Sequence, residues 1–325
     1  MIWLTWRQHR RQALFAALGL AALAALLIPT GISMRNAFTD SGLARCLREV
    51  GKAEFLTGST DCDSLAGVFT TRYESATTLS MLLVFLPLLA GLFWGAPLVA
   101  RELEHGTHRL VWTQGVSRMR WAGVKLGLII AATAVVSAGY ALLVSWWLAP
   151  LNDAGRGRLS ELSFDVQGIV PVAYALFAVA LGVFAGTVWR RVLPAMAAAL
   201  AGFLALRFVV LQQVRGHVLP ALERTYPVIG GQRPNPSLGD WTFSVGIKNA
   251  AGEVISSGQQ TQCSPSVAGQ PGGPCASIDP GAYNFQLYQP AGNFWPLQFI
   301  EAGLFTALAA LLLFLAIWRI RSRLA

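Results

Sequence analysis

The stretch Arg101–Arg120, RELEHGTHRLVWTQGVSRMR, is a charged run held between two apolar ones. The window before it, Ser75–Ala100, and the window after it, Leu126–Asn152, contain no Lys, Arg, Asp or Glu. Each exceeds the ~20 apolar residues that cross a hydrocarbon core, so the run reads as the bend between two membrane spans. The same pattern recurs outward, in Gln12–Met34, Val166–Trp189, Val192–Leu206 and Ala302–Trp318. Val192–Leu206 is 15 residues long and falls short, but it runs on past Arg207 into FVVL, which completes a helix. The chain is 13% charged, against about a quarter in soluble proteins, and the shortfall sits in these windows.

The fold expected is an all-α integral membrane protein with six transmembrane helices, at 13–33, 79–100, 124–148, 169–188, 192–211 and 299–318. Residues 1–12, MIWLTWRQHRRQ, place Trp3 and Trp6 beside Arg7, Arg10 and Arg11. They read as an amphipathic helix on the inner leaflet, since Trp favours the headgroup region and Arg the inner face. A signal peptide is the rival reading. The apolar run exceeds the usual h-region of about 7–15 residues, and LIPTGISM offers no small-x-small cleavage site, so the segment reads as a retained span.

Net charge is +9, which by itself would suit nucleic acid or a membrane surface. Its distribution points to topology instead. With the N-terminus inside, segments 1–12, 101–123 and 319–325, the start of the third span and the Arg190-Arg191 turn hold 13 basic residues against two acids, Glu102 and Glu104. The other 12 basic residues face 14 acids. The positive-inside rule then makes both termini cytoplasmic. It leaves 34–78, 149–168 and 212–298 outside as extracellular segments, the first and last of them sizeable, and no nucleic-acid role is expected.

Cys46 and Cys62 fall in the first outer loop, Cys263 and Cys275 in the last. One even pair in each suggests two local disulfides on the oxidising side, with free thiols as the alternative. No Cys-x-x-Cys or paired-His spacing accompanies them, so a zinc site is not supported and no metal is expected. In 212–298, WTFSVGI (241–247) and EVISS (253–257) flank a turn at KNAAG, the pattern of a β-hairpin. The Ala-rich 195–206 stretch in the fifth span reads as a helix-packing face.

Two charges break the spans. Arg207 lies 16 residues from Arg191, and Glu301 lies 18 residues from Arg319. At ~1.5 Å per residue both reach similar depth near the outer edge. Either they pair across the fifth and sixth spans and close the outer end of a translocation path, or each snorkels to the interface separately.

No energy-converting or catalytic motif is legible. The only Gly-Lys, Gly51-Lys52, is followed by Ala53 and so makes no phosphate loop. Zinc-protease and nucleophile-elbow patterns and an intramembrane carboxylate pair are also not found. The chain therefore reads as a non-enzyme, without catalytic residues or cofactor of its own.

In the elbow, Glu102-x-Glu104-x-Gly106-Thr107, then Gln114-Gly115-Val116-Ser117-Arg118, then Lys125-Leu126, resemble the inner loop of type-2 ABC exporter permeases. There, Glu-x-Gly-Thr precedes a Pro-Val-Ser-Arg-like element and a Gly-Lys-Leu-like re-entry. Gly115 stands where many members carry Pro, and Val124 where Gly is common. WLTWRQHR and YQPAGNFWPLQFIEAGLF (288–305) resemble actinobacterial members. The resemblance implies a permease subunit in the bacterial cell membrane, with Arg101, Glu102, Glu104, His105, Gly106, Thr107, Arg109 and Arg118 in a region that couples to a separate ABC ATPase subunit. It also implies a second permease subunit as partner, with ATP and magnesium on the ATPase. Largely apolar spans favour an amphipathic small molecule, lipid or peptide as cargo. The alternatives are a membrane-anchored sensor or assembly protein acting through the stapled outer loops, and an intramembrane enzyme.

Overall fold

The computed structural model describes residues 2–51, 54–56, 61–106, 117–235, 238–264, 278–279 and 281–323. Among them, six helical segments are long and apolar enough to cross a membrane. They are span 1 (Arg10–Asp40), span 2 (Glu74–Glu104), span 3 (Met119–Arg156), span 4 (Val170–Trp189), span 5 (Val192–Val214) and span 6 (Ala291–Ser322). The described residues are thus mostly helical, with a four-stranded antiparallel sheet and a two-stranded one. Span 4 is the axis of the bundle: 67% of its apolar window is buried, against 6% for span 1.

A separate amphipathic helix over 1–12 is not what forms. Ile2–Asp40 is one uninterrupted α-helix. Before Pro29 its weakest helix former is Gly19, and a single Gly costs only about 1 kcal/mol in a helix interior, too little to stop a run otherwise rich in Ala and Leu.

Span 2 is the irregular one, and its sequence says why. The helix Glu74–Leu83 stops before Leu86–Ala90. Pro87 has no N–H for the carbonyl four residues back, and that Leu83 carbonyl instead accepts the Tyr140 hydroxyl of span 3 at 3.0 Å. A π turn, Gly91–Gly95, follows and leads into Ala96–Glu104, where Pro97 removes a second donor.

Spans 2 and 4 approach backbone to backbone through glycine. A Cβ on Gly91 would lie 2.5 Å from the Ala178 carbonyl oxygen, and one on Gly182 would lie 2.6 Å from the Gly91 oxygen. Gly95 and Gly186 continue the seam one turn along each helix. Small residues permit this approach where lipid supplies no hydrophobic drive between helices. The Ala-rich face expected in span 5 is used in part: Ala195 packs with Ala96, Ala100 and Ala185, while Leu193 and Phe208 remain exposed.

The sheet has the order β2 (Leu222–Pro227), β6 (Tyr283–Gln289), β4 (Trp241–Lys248), β5 (Val254–Ser257). β4 and β5 form the expected hairpin. The Asn249 side chain holds its turn by accepting from the Ala251 and Glu253 amides. The segment between spans 1 and 2 is largely helical, with Leu43–Val50 and Asp61–Arg72 bridged by the Cys46–Cys62 disulfide. Cys263 is also disulfide-bonded; Cys275 lies outside the described residues. β1 (Phe55–Leu56) pairs with β3 (Arg233–Pro234), so the segments after spans 1 and 5 meet at one end of the bundle, and the elbow lies at the other.

The glycine seam makes a direct prediction. Gly91→Leu or Gly182→Leu should destabilise by more than the ~1–3 kcal/mol of ordinary overpacking, because backbone cannot move aside as a side chain can. Gly19→Ala, with nothing within 4 Å of its Cβ, should melt at or slightly above wild type. Thermal unfolding followed by size exclusion in detergent separates the two outcomes.

Candidate functional site

The elbow end is built from the termini of spans 2 to 6. Span 2 closes at Glu104, and Gly106 takes a left-handed φ of 69° that ends the helix. The His105 Nδ1 lies 2.8 Å from the Arg101 carbonyl. Thr107 and Arg109 lie outside the described residues, as does the rest of 107–116 and the Arg118 side chain. The chain re-enters at Ser117, whose hydroxyl caps the span 3 helix by accepting from the Arg120 amide at 3.3 Å.

Both elbow acids are engaged within the chain. Glu102 forms an ion pair with Lys125 of span 3, a lysine that is 5% exposed and sits 5.3 Å from the Trp121 ring. The Glu104 Oε2 accepts from the Val192 amide at 3.1 Å, placing a carboxylate on the free N–H groups and positive dipole end of span 5. On the far side, the Arg319 Nε of span 6 donates to the Thr187 carbonyl of span 4 at 3.2 Å. A displacement of the elbow therefore acts on spans 2, 3 and 5 together.

The sheet end holds a buried ionic cluster. Arg215, just past span 5, donates through Nε to Glu301 Oε2 at 3.0 Å and through Nη2 to Glu301 Oε1 at 2.9 Å, a bidentate pair. The same Nη2 also reaches Asp165 Oδ1 at 2.6 Å and the Tyr174 hydroxyl at 3.2 Å. Tyr174 donates to Glu301. Arg207 pairs with the other Asp165 oxygen and lies over the Tyr174 ring at 4.3 Å. Three residues before Glu301, the fully buried Gln298 accepts from the Ile169 and Val170 amides and donates to the Phe164 and Gln167 carbonyls. Span 6 thereby caps span 4 and holds the short helix Glu161–Val166 against it.

This corrects the expected Arg207–Glu301 pair. The two residues do share one cluster, but Arg207 goes to Asp165 and Glu301 goes to Arg215. Asp165, on the short helix before span 4, and Glu301 of span 6 share the Arg215 guanidinium. Two features hid them. Asp165 lies on a six-residue helix whose Ser163–Val166 are all buried, a tertiary event that charge-free windows miss. Arg215 is brought into line by the π turn Val210–Val214. Two α turns take about 7.2 residues and a π turn adds about one more, so positions 207 and 215 fall on one face. That spacing was the available signal.

A six-span helical bundle with charged ends joined through common helices defines a multi-pass membrane protein. The chain belongs to the ABC-2 membrane transporter related family, which it matches over residues 17–215, and is accordingly the membrane-spanning permease subunit of an ABC transporter, a transport component that is not itself catalytic. Membership also implies assembly with an ABC ATPase. The match ends at Arg215, so the sheet and span 6 lie beyond it. No curated protein matches the chain, nor does any solved structure.

The cluster makes the next prediction. Removing one partner from a buried ionic group costs about 3–5 kcal/mol, so Arg207→Glu and Glu301→Arg should each lower the melting temperature strongly. Combining them should not restore it, because each residue's partner is elsewhere. In double-mutant cycles, Arg207→Met with Asp165→Asn should show strong coupling, and Arg207→Met with Glu301→Gln weaker coupling. The reverse order would overturn the assignment.

Proposed function

We propose that this permease is one half of an exporter for an amphipathic small molecule, lipid or peptide. In this reading the termini and elbow are cytoplasmic, the sheet is outside, and a second permease subunit completes the path. A separate ATPase docks at the elbow through the region Arg101–Arg118, and nucleotide-driven motion there tilts spans 2 and 3. The buried cluster of Asp165, Tyr174, Arg207, Arg215 and Glu301 holds the outer end closed.

The observation that carries this reading is the elbow's internal wiring: Glu102 on Lys125 and Glu104 on the span 5 N-terminus link the docking region to three spans. A recess of about 600 Å³ between spans 1, 2, 3 and 4 supports an apolar moiety in the cargo. It is lined by residues such as Phe15, Leu23, Phe93 and Val136. The hydroxyls at its wall, Thr133, Ser137 and Tyr140, already donate to backbone carbonyls, so it presents mainly hydrocarbon.

The test is co-purification with the cell's ABC ATPases in mild detergent, together with ATPase activity in the reconstituted assembly. Glu102→Lys with Glu104→Lys should lose the stoichiometric ATPase while the permease remains folded. Glu102→Lys alone should weaken the coupling of hydrolysis to transport, and adding Lys125→Glu should restore most of it, because Glu102 acts by tying span 2 to span 3. Failure of wild type to retain any ATPase would sink the docking reading. Failure of the swap to restore coupling would place Glu102 on the partner instead.

A further inference from the structure

The sheet end carries a second site that the transport reading does not use. An open cleft of about 470 Å³ lies over one face of the sheet, where the segments after spans 1, 3 and 5 converge. That volume is within the range of about 300–1,000 Å³ that small-molecule sites occupy. Its floor is Arg224 of β2, Gln286 of β6, which is directly opposite Arg224, and Thr242 of β4. A bulge between Thr242 and Ser244 shifts the register there. The shift turns Thr242 to the same face as Gln286, as bulges do when they re-aim a side chain.

The chemistry of the lining is specific. Arg224 is 7% exposed, lies 4.1 Å over the Tyr288 ring, and donates to Glu54 at 2.9 Å and Asp240 at 2.8 Å. Burial alone would lower its guanidinium, but the hydrogen bonds to Asp240 and Glu54 outweigh it, so the group is raised and stays charged. One cation against two carboxylates leaves no surplus positive charge for an anion, and the carboxylates are already committed to Arg224. What remains directed at the cleft is one edge of that paired guanidinium together with neutral polar groups. Arg224 Nη1 and the Thr242 hydroxyl have no hydrogen bond among the described residues. Gln286 donates to Gln260 at 3.2 Å, and its carbonyl oxygen accepts no hydrogen bond among the described residues. Thr261 lies on the wall, and Tyr226 adds an aromatic surface.

We infer that this cleft binds a neutral polyhydroxylated ligand, a saccharide of one or two rings. Each sugar hydroxyl donates and accepts at once, which suits a rim of amides, hydroxyls and one spare guanidinium edge. A peptide is disfavoured: the cleft lies over the sheet face rather than along an edge, so strand addition is not available to it, and no apolar pocket awaits a side chain. The site also touches the bundle. The Asp240 Oδ1 accepts from the Ala291 amide at the start of span 6, at 2.9 Å, and Gly155 of the lining belongs to the turn that ends span 3. Occupancy would brace the sheet against those two span ends.

The test uses the full chain in lipid nanodiscs, which keeps glycoside detergents away from the cleft, and reads thermal unfolding without any ATPase. Its outcome is therefore independent of the export proposal. The probes are glucose, N-acetylglucosamine and trehalose, with tetraglycine and inorganic phosphate as competing classes. At least one sugar should raise the melting temperature saturably. Thr242→Val, at an exposed position, should weaken that sugar about tenfold while leaving the sugar-free melting temperature unchanged; Gln286→Leu should weaken it as much and lower the sugar-free value only by the lost bond to Gln260. Either variant alone suffices if the other does not fold. A shift with tetraglycine or phosphate and no sugar, no shift with any probe, or a sugar shift that the folded variants retain overturns the inference.

Discussion

The Arg215 guanidinium, 2% exposed in its side chain and gripped by Asp165 and Glu301, is the contact on which the sheet end depends. An ion taken out of water loses several kcal/mol of solvation even after the protein relaxes. That loss is tolerable only with close, well-directed partners, and Arg215 finds them on the short helix Glu161–Val166, on span 4 through Tyr174, and on span 6. Four segments are thereby fixed at one point. The arrangement is over-determined, because moving any one segment exposes charge on the others.

The elbow end is built on different terms. Glu102 ties span 2 to the buried Lys125 of span 3, and the exposed Glu104 ties it to the start of span 5. The exposed Glu104 contact with a helix N-terminus is worth about 0.3–1 kcal/mol, whereas breaking a buried ionic group, at Lys125 or at Arg215, costs about 3–5. Buried charge therefore fixes both ends, through one lysine by the elbow and a larger cluster at the sheet end.

Much of this was legible before the fold. Charge-free windows revealed all six spans, because charges inside lipid are costly and rare, Arg207 and Glu301 being tolerated only in ion pairs. The Glu102–Gly106 elbow and the β4–β5 hairpin were also readable, since each is set by local chemistry: a helix stop in one and an Asn-anchored turn in the other. Asp165 and Arg215 were not. A window bounded by charges assigns every bounding residue to the water by construction, and only tertiary packing tucks the Asp165 helix inward. The π turns escaped for a related reason. They follow from prolines and from packing demands, not from a propensity that single residues carry. The unbroken first helix shows the opposite error, in which a change of composition from basic to apolar was taken for a change of structure.

The glycine seam decides how the two ends communicate. Spans 4 and 6 each run from the cluster to the elbow end, through Tyr174 and Thr187 in one and Glu301 and Arg319 in the other. They act as a braced pair, held at both termini. Span 2 is bound to span 4 at the middle by Gly91, Gly95, Gly182 and Gly186, where atoms already touch at backbone distance. Such a contact cannot be compressed, and it offers no long side chains that could re-pack. A tilt of the elbow half of span 2 must then be absorbed within span 2 itself. Its weakest places are the π turn at Gly91–Gly95 and the break before Pro87, the first lying at the seam and the second beside it. In the export reading these irregularities are where span 2 would bend, with the glycine contact as fulcrum and the missing proline hydrogen bonds softening the helix.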